Sequence, residues 1–322
     1  MTAGCGVAVT IRNSCSWGAL GMVPINKIVV LALGLAAIGS LAYARPRSSG
    51  QTLIVPPNQI VSGSVNGQAM NFQLLAWAPS TLILNPGPAL SLGLKPGPFS
   101  GKLIVGKTRD KVMVTGAKYA IGSQATKGQI GWTNRAISTT ASGWLGPGAA
   151  PFDVVTFQLH PAEAGETAHT LPMVFAGGGI VTTIKIDDKD ITLTWDNSRA
   201  GTIVSGAAGA ELAKANAGSF VGPVATEMVQ LNAERPTRKL RLANPLRVGP
   251  ISIRDMSVRT SEGGESSIPD MDADPSEIVV TASAGSKVKP EYFVFVGMND
   301  MKNCSSLTFD KPAKLIRLMC RA

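Results

Sequence analysis

Two stretches of the chain share one plan, and that repetition constrains the fold more than any other feature. Met70–Asn85 reads MNFQLLAWAPSTLILN and Ile191–Ser205 reads ITLTWDNSRAGTIVS. Each is an apolar, β-branched run, a few small or turn-forming residues, and a second apolar run, which predicts strand, tight loop, strand. A hairpin turn precedes each: Val65-Asn66-Gly67 before the first, Asp187-Asp188-Lys189 before the second. Setting Leu75 against Asp196 superimposes the copies at a separation of 121 positions. A chain of 322 residues with Gly 35 and Pro 21 has room for two such units, and its loop-rich make-up suits β structure better than a helical bundle.

The order of signals along the chain predicts its organisation. Ile28–Ala44 is an apolar run preceded by Lys27 and ending in Ala42-Tyr43-Ala44, the form of a secretory h-region and cleavage site. Residues 1–44 are therefore expected to be a leader, with translation starting at Met22. The same run is long enough to anchor the chain if it is not cleaved, which would bring membrane contact through the leader. A polar tether, 45–51, follows. The first lobe is expected over 52–161, a linker over 162–170, and the second lobe over 171–322, with a short helix at Gly206–Ala217. Export places the mature chain in the periplasm or outside the cell.

Cysteine usage agrees with export. Once the leader is removed, Cys304 and Cys320 remain, flanking two short strands around a turn at Asp310-Lys311-Pro312-Ala313. In a hairpin centred on Pro312 the two cysteines face each other, so a disulfide is the expectation and two free thiols the alternative. An oxidising compartment permits the bond.

Charge excludes some functions. A net charge of +9 spread over a chain with 16% charged residues is too thin for a nucleic-acid footprint. The densest basic segment, Arg235, Arg238, Lys239, Arg241 and Arg247, alternates with apolar residues as a strand with one wet face would. His160 and His169 lack ligand-spaced partners. Asp270, Asp272 and Asp274 have the alternating spacing of a weak hard-cation loop, but Pro275 follows where a calcium loop carries glycine, so a solvated acidic loop is the plainer reading. No cofactor is implied.

Taken together, the paired loops resemble those of the retropepsin-like and pepsin-like aspartic proteases of bacterial type, with two lobes fused in one chain. The resemblance rests on Phe72-Gln73-Leu74 leading into Leu75-Ala76-Trp77-Ala78, and on Leu193-Thr194-Trp195 leading into Asp196-Asn197-Ser198. It also rests on the apolar-apolar-glycine corners Trp144-Leu145-Gly146 and Phe295-Val296-Gly297, which in that family buttress the loops, and on a terminal hairpin. It implies an all-β fold of two β-barrel lobes in a bilobal, pepsin-like arrangement with a few short helices.

The departures from that family alter the expected function. Aspartic protease chemistry uses two carboxylates sharing a proton. Leu75 stands where the first carboxylate would be, Ala76 lacks the loop-bracing hydroxyl, and Trp77 replaces a glycine. The second loop keeps Asp196, with Asn197 and Ser198 in place of Thr and Gly. Asp196 could brace its own turn, bind a polar group in a residual cleft, or pair with Asp196 of a second chain. The expected function is a catalytically inactive homologue that binds a peptide, a protein or an envelope component, or serves as a structural module. One alternative is an aspartic endopeptidase built from an intermolecular Asp196 pair in a homo-oligomer. Another is an assembly subunit of a cell-surface structure.

Overall fold

In a computed structural model of the chain, which describes residues 51–105, 108–176, 178–230, 233–260 and 292–321, the repeat in sequence becomes a repeat in strand pairing. The leader, all but the last tether residue, and Asp270, Asp272 and Asp274 lie outside the described residues. Among the described residues the fold is all-β, with two short helices, and is built from one closed sheet and two open ones.

The closed sheet runs in the order Ile60–Val65, Gln68–Leu74, Gly143–Leu145, Leu82–Leu84, Gln124–Trp132, Thr108–Ile121, with Ser100–Val105 added outside. Pairing of Gly63, Ser64 and Val65 with Ile121, Ala120 and Tyr119 closes six of these strands into a barrel. Closure depends on a glycine: a Cβ on Gly63 would lie 2.2 Å from the Ala120 carbonyl oxygen. The expected turn at Asn66-Gly67 is present, with φ of 49° and 85°, the left-handed pair that matches the twist of a two-residue hairpin.

The second sheet has eight strands, in the order Val174–Ala176, Gly179–Ile186, Lys189–Asp196, Phe293–Gly297, Ile203–Val204, Ile251–Arg259, Glu234–Val248, Gly218–Met228. Its centre repeats the barrel. The strand entering each loop runs parallel to a short, late strand: Gln68–Leu74 beside Gly143–Leu145, and Lys189–Asp196 beside Phe293–Gly297. The strand leaving each loop pairs antiparallel with that same late strand. Each exit strand then ends in a helix cap of nearly identical geometry, Asn85 at φ −65°, ψ 155° and Ser205 at φ −65°, ψ 156°.

Register sharpens the sequence alignment. Gln73 opposes Trp144 as Thr194 opposes Phe295, a separation of 121 positions, so Leu75 corresponds to Asp196 on the entering side. After the loop Ile83 opposes Trp144 as Ile203 opposes Phe295, a separation of 120. The first loop is therefore one residue longer, and the single offset expected from sequence fails beyond it.

Helix Gly206–Ala215 starts on the Ser205 hydroxyl, which accepts from the Ala208 amide at 3.3 Å. Its Gly209 is a packing requirement, since a Cβ there would meet a Val258 methyl at 2.4 Å. The helix Pro86–Ser91 was not expected; proline at its first turn presets the backbone.

The third sheet joins the two ends of the described chain: Thr52–Val55, Val154–Gln158, Cys304–Asp310, Leu315–Cys320, Thr167–Pro172. Two sequence expectations change here. The last four residues of 162–170, expected as a linker, open the strand Thr167–Pro172, which pairs with Leu315–Cys320. An edge strand is held by backbone hydrogen bonds and needs no apolar stripe, so its polar composition concealed it. The terminal hairpin is also shifted by one residue from a Pro312 centre, with Asp310 opposite Leu315 and Leu307 opposite Leu318. An irregularity between Cys304 and Ser306 restores the pairing of Cys304 with Cys320, and the disulfide forms across it with Cα atoms 3.9 Å apart.

Among the described residues no helix is long and apolar enough to cross a membrane.

Candidate functional site

The loops at residues 75–81 and 196–202 approach each other closely enough to share hydrogen bonds. Each is seated against a glycine at the end of the late strand. A Cβ on Gly146 would lie 2.2 Å from the Ala78 carbonyl oxygen, and one on Gly297 would lie 2.5 Å from the Gly201 carbonyl carbon. Trp144 and Leu145, like Val296, are buried beside these corners. The Leu75 amide extends the parallel pairing by donating to the Leu145 carbonyl at 3.1 Å.

Two hydrogen bonds tie the loops together, and a third reaches the second loop from outside the first. The Ala76 amide donates to Asn197 Oδ1 at 2.8 Å, and the Trp77 indole donates to Ser198 Oγ at 3.3 Å. Gln59, at the mouth of the first hairpin, donates its side-chain amide to the Asn197 carbonyl. Asn197 and Ser198 thus serve as cross-loop acceptors, a use that the sequence comparison with Thr and Gly did not reveal.

Asp196 sits between these ties and is only 3% exposed. Its Oδ1 accepts from the Ser198 amide at 3.1 Å and from Ser198 Oγ at 2.6 Å. Its Oδ2 accepts from Gln230 Nε2 at 3.4 Å and has Arg199 Nε at 3.9 Å. Burial pushes the carboxyl above its usual range, while the bonds from Ser198 and the nearby Arg199 and Gln230 pull partly back. Facing the same cleft is Leu75, 2% exposed, in an apolar cluster with Trp77, Ile137, Trp144, Val229 and Phe295. Trp77 and Trp144 meet edge to face, with ring centroids 5.1 Å apart.

A cleft of about 450 Å³ opens beside this pair. Its polar lining comes from Gln73, Ser138, Asp196, Arg199 and Gln230, and its apolar walls from Leu75, Trp77 and Trp144. Ser138 Oγ donates to Gln73 Oε1 at 3.1 Å, which orients one wall. Arg199 connects the cleft to a second charged group, with Nη1 3.4 Å from Glu227 Oε2. Burial opposes ionisation of Glu227, but bonds from Ser257, Lys239 and Thr237 at 2.7, 2.9 and 3.0 Å outweigh it and hold that carboxyl below its usual range.

Gln230, Arg199, Glu227 and Ser138 were absent from the residues picked out by sequence. Arg199 alone carried a local signal, three positions after Asp196; the others arrive through hairpins and loops remote in sequence. The basic segment lies on Glu234–Val248 and is largely engaged. Lys239 pairs with Glu227, Arg241 pairs with Asp255 at 2.6 Å, and Arg238 lies over Phe220 while donating to the Gly222 carbonyl. His160 contacts the Pro161 carbonyl and His169 contacts Thr167 Oγ1, away from the cleft lining. Among the described residues no group of three or more His, Cys, Asp or Glu is placed to hold a metal ion.

No protein-family model matches the chain, and none of the curated proteins matches it.

Proposed function

We propose that the chain is an exported, two-lobed homologue of the retropepsin-like and pepsin-like aspartic proteases that does not cleave peptides and instead binds a peptide or protein segment in the cleft beside Asp196. The observation that carries this reading is the register match of buried Leu75 to Asp196, within two loops that share entering, leaving and late strands. A leucine neither polarises water nor holds a proton, so these two loops supply no carboxylate dyad and Asp196 is left to hydrogen-bond or pair electrostatically. The apolar walls suit side chains, and Gln73 and Ser138 suit peptide amides. Export rests on the leader-like run at Ile28–Ala44 and is supported by a disulfide suited to an oxidising compartment.

An intermolecular Asp196 pair would need the first loop to leave its place. The bonds from Ala76 and Trp77 to the second loop, together with the burial of Asp196, weigh against that rearrangement. The test is incubation of the purified mature chain with a mixed peptide library at acidic pH. No cleavage is expected. Hydrolysis that disappears in Asp196→Ala would overturn the reading, and a dimer by size-exclusion chromatography alongside that activity would favour the intermolecular enzyme.

A further inference from the structure

The residue that completes the Asp196 environment comes from a distant hairpin. Gly218–Met228 and Glu234–Val248 are its two strands, and Val229 and Gln230 follow the first strand into the cleft. Both are almost fully buried. The Val229 amide donates to the Ala233 carbonyl at 2.7 Å, holding this end of the hairpin in a turn. Val229 packs into the apolar cluster that contains Leu75, Trp77 and Ile137, so it bridges to the first half of the chain. Gln230 then places its carboxamide nitrogen 3.4 Å from Asp196 Oδ2. Three residues earlier on the same hairpin, Glu227 meets Arg199, so two polar contacts set the height of this segment over the loop.

We propose that Val229-Gln230 is an internal ligand of the cleft, and that the external ligand which displaces it is a peptide presenting an apolar residue followed by a side-chain carboxamide, Gln or Asn. This deepens the peptide-binding reading above and rests on it. Three features of the site select such a sequence. Oδ1 of Asp196 is already engaged by Ser198, which leaves Oδ2 as the acceptor for an incoming N–H. A neutral carboxamide supplies that donor without adding a cation beside Arg199, whose guanidinium already lies between Asp196 and Glu227. The residue before it meets the apolar wall that Val229 now fills. The Gln230–Asp196 contact is long for a charge-assisted hydrogen bond, so a peptide free to adjust its backbone can improve on it.

The probe is the acetylated, N-methylamide-capped pentapeptide Thr-Glu-Met-Val-Gln, copied from residues 226–230, so that its only primary carboxamide is the Gln side chain. Its control ends in Ala. Binding to the full mature chain is followed by tryptophan fluorescence, since Trp77 and Trp144 line the cleft. In Gln230→Met, which retains bulk without the carboxamide, the Gln peptide is expected to bind roughly tenfold more tightly than the Ala peptide, and roughly tenfold more tightly than it binds the unaltered chain. Equal binding of the two peptides overturns the carboxamide assignment while leaving peptide binding in place, and binding of neither to a folded variant overturns both. Should Gln230→Met fail to fold, the unaltered chain serves: millimolar Gln peptide should speed hydrogen exchange at the Val229 amide, the Ala peptide should not, and unchanged exchange overturns the internal-ligand assignment. Hydrolysis of a peptide library counts only against the non-cleaving reading.

Discussion

The Ala76 amide reaches the Asn197 side chain at 2.8 Å across 121 positions of sequence, and through this bond the two central loops hold one another. Both partners are buried. Asn197→Ala would leave the Ala76 N–H without its acceptor, at a cost of about 2 kcal/mol. A urea titration should show the midpoint falling with an unchanged slope. A variant as stable as the parent would mean that the loops are positioned by packing alone.

Asp196 gives the site a dependence on pH whose direction follows from burial. Its folded pKa lies above the ordinary value of 3.8, so the folded chain retains this proton where the unfolded chain has released it. The stability linked to the group is complete below 3.8 and is lost as pH rises through the folded pKa. Asp196→Asn lacks this loss. Its melting temperature should gain on that of the parent as pH is raised from about 4 toward neutrality, whereas parallel melting curves would contradict the assignment.

Introducing the missing carboxylate tests the cleft from its other side. Leu75→Asp removes a buried apolar side chain and places a second acid in the cleft that Asp196 lines, which should cost about 3 kcal/mol or more. Peptide cleavage is not expected from this change alone, because Trp77 and Gln230 still occupy the space around Asp196. Adding Ala76→Thr and Trp77→Gly then measures whether the remainder of the cleft can support hydrolysis. Cleavage by the single variant would show that Leu75 was the sole obstacle.

The Cys304–Cys320 bond closes a short loop at the end of the shared sheet, and Cys304→Ala with Cys320→Ala should lower the unfolding free energy by about 3 kcal/mol. Thermal unfolding of parent and variant under non-reducing conditions reads this out. The loss should be felt through both halves, since Cys304–Asp310 is hydrogen-bonded to Val154–Gln158.

What the sequence disclosed was mostly local. The turns at Asn66-Gly67 and Asp187-Asp188, the strands on either side of Leu75 and Asp196, and the facing cysteines each depend on neighbouring residues, and each is present. Thr167–Pro172 escaped notice because backbone pairing at a sheet edge imposes no pattern on side chains. The extra residue in the first loop was hidden because apolar runs tolerate a shift of one until their opposing strand is known. Gln230 and Glu227 could not be anticipated, since only the folding back of a long hairpin brings them to Arg199 and Asp196.

The third sheet also bears on how the chain acquires its shape as it is synthesised. Pairings within the closed barrel fall between Ile60 and Leu145, so that unit can assemble from what has already been made. Val154–Gln158 can take up Thr52–Val55 at once, but its other edge waits for Ser306–Asp310, about 150 residues of translation later. During that interval an unpaired strand edge stays exposed, the kind of surface through which incomplete chains associate. The late hairpin therefore acts as a closure step, and the newly made chain is most vulnerable just before its final strands emerge.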